Sequence, residues 1–333
     1  MQIFSIDILP LLIPSLLAFT SPFNFPASYP FTESPTLAAL VESDFNALEG
    51  ACTLIESLSL DIEDIRIALA RGYFFPAEYS GNSYLSAILD FVESGDYPPT
   101  WSIPGLIDDS ERTQKEKELS ICKAALVKAI VEITGEEKNL EILWEEPAVE
   151  QPGGRFVSRM VSWIRSYVKQ VNDITDQIPR DDLIIVACLS LGNVCRLGKF
   201  CLVSCSGISY RVFLLGSCAT TLIAPPYSLT SILVSPPLLS PKTDLKLKHS
   251  VLGLLKNLVQ SAEPSPAIQD ALSRSGMVCK LQESGVWNET SDRMADIVQL
   301  NAIGVVRHLC SIDSTHSFYI SIAFIIVDDN CCS

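Results

Sequence analysis

The carboxylate pairs Asp181-Asp182, Glu136-Glu137 and Glu145-Glu146 have the residue types of an acid/base couple. General acid-base work needs two carboxyl groups aimed at one reacting centre. Adjacent residues on a helix point in different directions, so these pairs are not a catalytic dyad. The three histidines, His249, His308 and His316, stand apart from the eleven cysteines, and no cysteines form a CxxC pair. Neither a zinc site nor a nucleophile with its base is expected from that distribution. The chain has no GxxxxGK[ST] loop, GxSxG elbow or HExxH helix. Pro152-Gly153-Gly154 reads as a turn, because nothing strand-like precedes it. Asn288-Glu289-Thr290 is a glycosylation sequon, which matters only in a secreted chain. The expectation is a protein without catalytic residues, cofactor or metal.

The carboxylates suit binding better than catalysis. The 333 residues carry a formal net charge of −15. Nucleic acid needs a basic footprint and is excluded as a partner, whereas a basic protein segment would be steered towards such a surface. Asp181, Asp182, Glu136, Glu137, Glu145 and Glu146 are the candidate acidic surface. Cysteines such as Cys52 and Cys188 fall inside apolar helical patterns as small hydrophobes, which fits a reducing, cytoplasmic compartment. The apolar start MQIFSIDILPLLIPSLLAF carries Asp7 and two prolines and no preceding base, so it does not read as a secretory signal. No run offers a clean apolar span of about 20 residues, so no transmembrane helix is expected.

Positioning such side chains falls to amphipathic helices. Counted at about 100° per residue from Leu247, the residues Leu247, Val251, Leu254, Leu255 and Leu258 fall in one narrow arc. Leu252 and Val259 widen it, and Ser250, Gly253, Asn257 and Gln260 form a small, polar stripe on the remaining side. The octet VLGLLKNL at 251–258 matches AIGVVRHL at 302–309 and ACLSLGNV at 187–194, and more weakly ACTLIESL at 51–58. Asn257, His308, Asn193 and Ser57 therefore occupy one position of a shared frame. An amide there is either a buried structural group bonded to a neighbouring helix or a groove residue that pairs with a bound backbone.

Between the second and third of these helices the sequence reads as a loop, a helix over 267–274, a Ser-Gly stop at 275–276, and a short helix over 277–283. A Gly-containing turn follows, and the long helix resumes at 290–307. Gly276 and Gly285 sit where a helix end favours positive φ. Such units at a period of about 50 residues predict an all-α, right-handed solenoid.

The phrases RDDLIIVACLSLGNV, LLSPKTDLKLKHSVLGLLKNLVQ and NALEGACTLIESLSLDIEDIRIALARGYFFPAEY resemble the armadillo-repeat small-GTPase GDP-dissociation stimulators, the smg GDS family, in its fungal form. The resemblance covers residues 40–196 and 219–310. It implies a superhelix of three-helix armadillo repeats with no chemistry of its own. Its implied partner is a Rho, Rap or Ras-type GTPase with a basic, prenylated C-terminus, which it would discharge of GDP or chaperone. It also implies a groove built from Asn193, Asn257, Ser250, Gly253, Gln260 and His308. A generic armadillo adaptor for another extended peptide is the alternative, and a secreted helical enzyme is a third reading, favoured only by the apolar start and the sequon.

Two segments depart from the repeat. From Asn193 to Asn257 the chain advances 64 positions, and from Asn257 to His308 it advances 51. The excess lies in LGKFCLVSCSGISYRVFLLGS at 197–217, aperiodic and without an acidic residue. Gly198-Lys199-Phe200 can be encoded by GGT AAG TTC, which contains a splice-donor sequence, so a translated intron is the expectation there. The tail THSFYISIAFIIVDDNCCS breaks off the repeat pattern in the same way. The expected organisation is a disordered or mispredicted 1–35, repeats over 36–196, an irregular insertion over 197–218, repeats over 219–311, and an aberrant tail over 312–333.

Overall fold

The structure is a computed structural model that describes residues 8–20, 35–72, 83–97, 109–148, 151–173, 179–198, 218–288 and 293–312. Most of the irregular insertion, 199–217, together with Glu289 and Thr290 of the sequon and the tail after 312, lies outside the described residues. The described chain is mostly helical and divides into two compact units, residues 1–142 and 143–333. That division falls inside the block 36–196.

In the first unit, α1 (Leu9–Ala18), α2 (Pro35–Asp61), α3 (Glu63–Arg71), α4 (Tyr84–Ser94) and α5 (Asp109–Gly135) pack together, followed by a 3-10 turn at Glu137–Asn139. Within the block expected as a disordered or mispredicted 1–35, residues 9–18 form a helix. Pro10 is compatible with a first helical turn, and the spacing of Leu9, Ile13 and Leu16 puts three apolar side chains on one buried stripe. Phe19 follows, fully buried, with its ring 5.9 Å from that of Phe45 in an edge-on arrangement. Phe45 also lies 6.0 Å from Tyr97, and the Lys115 ammonium stands 4.6 Å from its centroid. In the connection after α5, the fully buried Asn139 donates to the carbonyls of Arg66 and Ile133, 3.0 Å each, so its amide has backbone partners.

The second unit opens with a short antiparallel hairpin, β1 (Glu145–Ala148) and β2 (Gln151–Gly153). This is a correction. Pro152 and Gly153 belong to a strand, and Gly154 begins α7 (Gly154–Asn172), with α6 (Leu140–Leu143) a single turn ahead of the hairpin. The helix α7 is held to the chain ahead of α10 by Arg165, which donates to the carbonyls of Pro226 and Tyr227 at 2.8 and 2.9 Å. The Tyr227 hydroxyl donates to the Pro152 carbonyl at 2.7 Å. After α7 come α8 (Asp181–Gly198), α9 (Cys218–Ile223), α10 (Leu229–Leu233), α11 (Leu245–Ser261), α12 (Pro266–Arg274), α13 (Met277–Glu283) and α14 (Arg293–Ile312).

Helix α11 lies between α8 and α14 and packs along both. Its start is fixed by Asp244, whose carboxylate accepts from the Lys246 amide at 2.8 Å. Leu247, Val251, Leu254, Leu255 and Leu258 are all 2% exposed or less, and Leu252 and Val259 are buried with them. The wide apolar face is thus covered from several sides, as its sequence demands. Ser265 caps α12 by accepting from the Ile268 amide, with Pro266 as its first residue. Gly276 and Gly285 adopt φ +63° and +69°, the left-handed turns that end α12 and α13. The helices expected over 267–274 and 277–283 are therefore present within a residue of those limits.

Candidate functional site

Helices α8, α11 and α14 carry Asn193, Asn257 and His308 at the same frame position, on three helices that pack in series. Asn257 donates through Nδ2 to the carbonyl of Gly192 at 3.1 Å. The amide recurring in the frame therefore ties one helix to the next at Asn257. That bond uses one of the two amide protons, and Asn257 remains half-buried. Asn193 and His308 are half-buried as well, and Gln260 is exposed. Ser250 has no exposed surface and donates to Leu247 O at 2.9 Å, so in this conformation it packs and does not line an open groove.

Two residues outside the expected set, Lys256 and Asn301, add a polar contact between α11 and α14. Lys256 reaches from α11 to Asn301 of α14, Nζ to Oδ1 at 2.8 Å. Its stem crosses Gly304, where an added Cβ would meet Lys256 Cδ at 2.6 Å. A Cβ on Gly192 would meet Asn257 Nδ2 at 3.1 Å. Small residues let the helices approach and polar side chains fill the remaining space. The glycines in the octets were the available signal for this. Alanine at Asn257 leaves the helices packed but removes the bond to Gly192, and the expected loss is about 1 kcal/mol. Urea unfolding of Asn257→Ala checks it; an unchanged midpoint would show that the bond contributes nothing.

The carboxylates are distributed over both units. In the first unit, Glu136 pairs with Arg66 at 3.2 Å, and Glu137 is exposed. In the second, Asp182 is held by Arg180 at 2.5 Å and Asp181 accepts from the Tyr167 hydroxyl at 2.8 Å. Burial, and then that bond, push the Tyr167 pKa up. Glu145 and Glu146 lie in β1, with side chains outside the described residues. Two of these six carboxylates thus spend charge on neighbouring arginines. The exposed face of α7 is basic, with Arg155 and Lys169 exposed and Arg159 5.4 Å over the Trp163 ring.

Among the described residues no three of His, Cys, Asp and Glu are grouped to hold a metal ion. Nor is any described helix long and apolar enough to cross a membrane. Cys52, Cys122, Cys188, Cys195 and Cys218 are buried thiols. Burial pushes Cys188 and Cys195 well up, which keeps them protonated and inert as nucleophiles.

His249 precedes Ser250 on α11. Burial, and then the Lys256 charge, hold its pKa below the usual value. The neutral form is favoured in the fold, so its contribution is present above the unfolded-state pKa of about 6.5 and is lost as pH falls through the folded value. The urea midpoint is expected to fall between about pH 7.5 and pH 5, and to fall less in His249→Gln. An equal fall in that variant would assign the pH dependence to other groups.

No family model, curated protein or solved structure matches this chain.

Proposed function

We propose that this chain is a non-catalytic regulator of small GTPases of the Rho, Rap or Ras type, built on armadillo-like repeats and working in the cytoplasm. The carrying observation is the serial packing of α8, α11 and α14 with Asn193, Asn257 and His308 at one frame position. The net charge of −15 supports a basic partner segment. Asn193, Gln260, His308 and the remaining capacity of Asn257 are the polar groups that would meet an extended backbone. On the second unit, the exposed Asp181 beside Asp182 would draw in the polybasic tail.

Promotion of GDP release requires no bond-making by this chain. It requires tighter binding to the nucleotide-free GTPase than to the GDP form, and the acceleration is bounded by that difference. A chaperone role would rest on the prenylated tail alone. Titration of a Rho-type GTPase, with and without its basic tail, separates these from the adaptor reading. Affinity is expected to drop at least tenfold when the tail is removed, and to weaken as salt rises from about 50 to 300 mM. Capture that ignores both tail and salt would favour a generic armadillo adaptor, and no capture would sink the GTPase reading.

The adaptor reading has one observation in its favour. The Asn257 bond to Gly192 shows the frame serving the scaffold, as it would in an array of any specificity.

A further inference from the structure

Contacts between helices of the first unit join partners at nearly one spacing along the chain. The Lys115 ammonium stands 4.6 Å from the centre of the Phe45 ring, 70 positions away in sequence. Lys128 pairs with Glu56 at 2.6 Å across 72 positions. Arg66, in α3, pairs with Glu136, just after α5, at 3.2 Å across 70. Offsets of one sign and nearly one size mean that α2 and α5 run parallel, side by side, in a fixed register. Cys52 and Cys122 occupy that register too, 70 positions apart. They lie seven residues, about two helical turns, beyond Phe45 and Lys115, so each returns to the face that its helix turns towards the other. There the two thiols meet in a hydrogen bond, with Cys52 1% and Cys122 4% exposed. The bond from Cys52 holds the Cys122 pKa below that of an ordinary thiol, which favours the thiolate, the form that attacks an oxidant. Cys52, pushed up by the same bond and then by burial, keeps its proton.

We infer that Cys52 and Cys122 are a reversible redox pair, closed by peroxide into a disulfide that staples α2 to α5. Access sets the class of oxidant. Hydrogen peroxide, little larger than water, fits a site this deeply covered, whereas a peptide disulfide does not. The Cys122 thiolate attacks one peroxide oxygen, the O–O bond breaks, and hydroxide leaves and takes up the thiol proton as water; a sulfenic acid remains. The Cys52 sulfur then attacks the Cys122 sulfur, the S–O bond breaks, and the hydroxyl departs with the Cys52 proton as a second water. The two sulfurs give up two electrons and peroxide accepts them. A dithiol reverses the step and itself becomes a disulfide. Reaching the ~2 Å of an S–S bond asks for rotation of two side chains already in contact. The ion pairs of Glu56 and Arg66 meanwhile keep the helices in register. The closed ring runs from 52 to 122, a long loop whose closure strongly constrains the unfolded chain. In a reducing compartment such a bond is transient, which suits a sensor. The inference does not depend on the GTPase reading.

The test treats the full, reduced chain with a few equivalents of hydrogen peroxide, blocks the remaining thiols by alkylation and digests without reduction. Mass spectrometry is expected to find the peptides holding Cys52 and Cys122 joined, two hydrogens lighter than their sum, and separate again after dithiothreitol. Oxidation should also raise the urea midpoint by about 1 M or more, a shift that Cys122→Ala should lose. The joined peptide is read on the unmutated chain, so the test stands even if that variant fails to fold. Both cysteines alkylated, or Cys122 carried on to the sulfinic acid, would overturn the proposal. A link from either cysteine to a different partner in place of this one would overturn it too, as would a Cys52–Cys122 link that leaves the midpoint unchanged.

Discussion

Alanine in place of Leu255 is expected to lower the stability of the second unit by about 3 to 5 kcal/mol. Leu255 has no exposed surface, and it sits at the middle of α11, the helix packed on one side by α8 and on the other by α14. Removing its branched end loses the transfer energy of several methyl and methylene groups. It also leaves a cavity that two flanking helices, tied by Asn257 to Gly192 and by Lys256 to Asn301, are poorly able to collapse. The urea midpoint should fall by about 1 M or more. Gln260→Ala, on the exposed side of the same helix, should stay within about 0.5 kcal/mol. Equal effects of the two variants would mean that α11 is not the packed centre of this unit.

Phe45→Ala is the corresponding experiment in the first unit, with an expected cost of about 3 to 5 kcal/mol. Here the loss has several parts. The ring is fully buried and meets Phe19 edge-on, Tyr97 at a tilt and the Lys115 ammonium over its face. Aromatic pairs contribute about 0.5–1.5 kcal/mol beyond burial, and a cation over the ring adds a comparable amount. Phe45→Leu restores most of the apolar volume but none of the ring contacts, so its midpoint should lie between those of the wild type and Phe45→Ala. A leucine variant as unstable as the alanine one would mean that ring geometry outweighs volume. One matching the wild type would show that the aromatic contacts contribute little.

How much of this could be read beforehand depends on the range of the interaction. Leu247 to Leu258 repeat with helical period, and Gly276 and Gly285 are local stops, so α11, α12 and α13 were legible from spacing alone. Near the beginning of the chain, Pro10 and Pro14 both stand within a helix. The first is tolerated in an opening turn, and the apolar stripe Leu9, Ile13, Leu16 outweighs the second. The hairpin at β1 and β2 has only four and three residues, too few for an alternation to register.

The candidate site divides along the same line. That Asn257, Asn193 and His308 share a frame was visible in the octets. That Asn257 spends a proton on Gly192 was not, because the two are 65 positions apart in sequence and no periodicity encodes which helix lies alongside. Ser250 was misplaced on the open side because a helical wheel treats polar residues as exposed. A serine hydroxyl bonded to the carbonyl of its own turn is at home in a buried stripe. The arginine partners of Glu136 and Asp182 differ in the same way. Arg180 is a sequence neighbour, whereas Arg66 reaches Glu136 across 70 positions.

The oxygen that Asn257 grips belongs to the main chain, and every residue type offers the same one. A change of side chain at position 192 does not by itself deprive Asn257 of its acceptor. Position 192 is not free to vary in bulk, since even a methyl group there would stand 3.1 Å from the amide nitrogen. The register between these two helices is thus written as a size limit on one side and an amide on the other. Among apolar residues, a variant library at 192 should sort by side-chain volume.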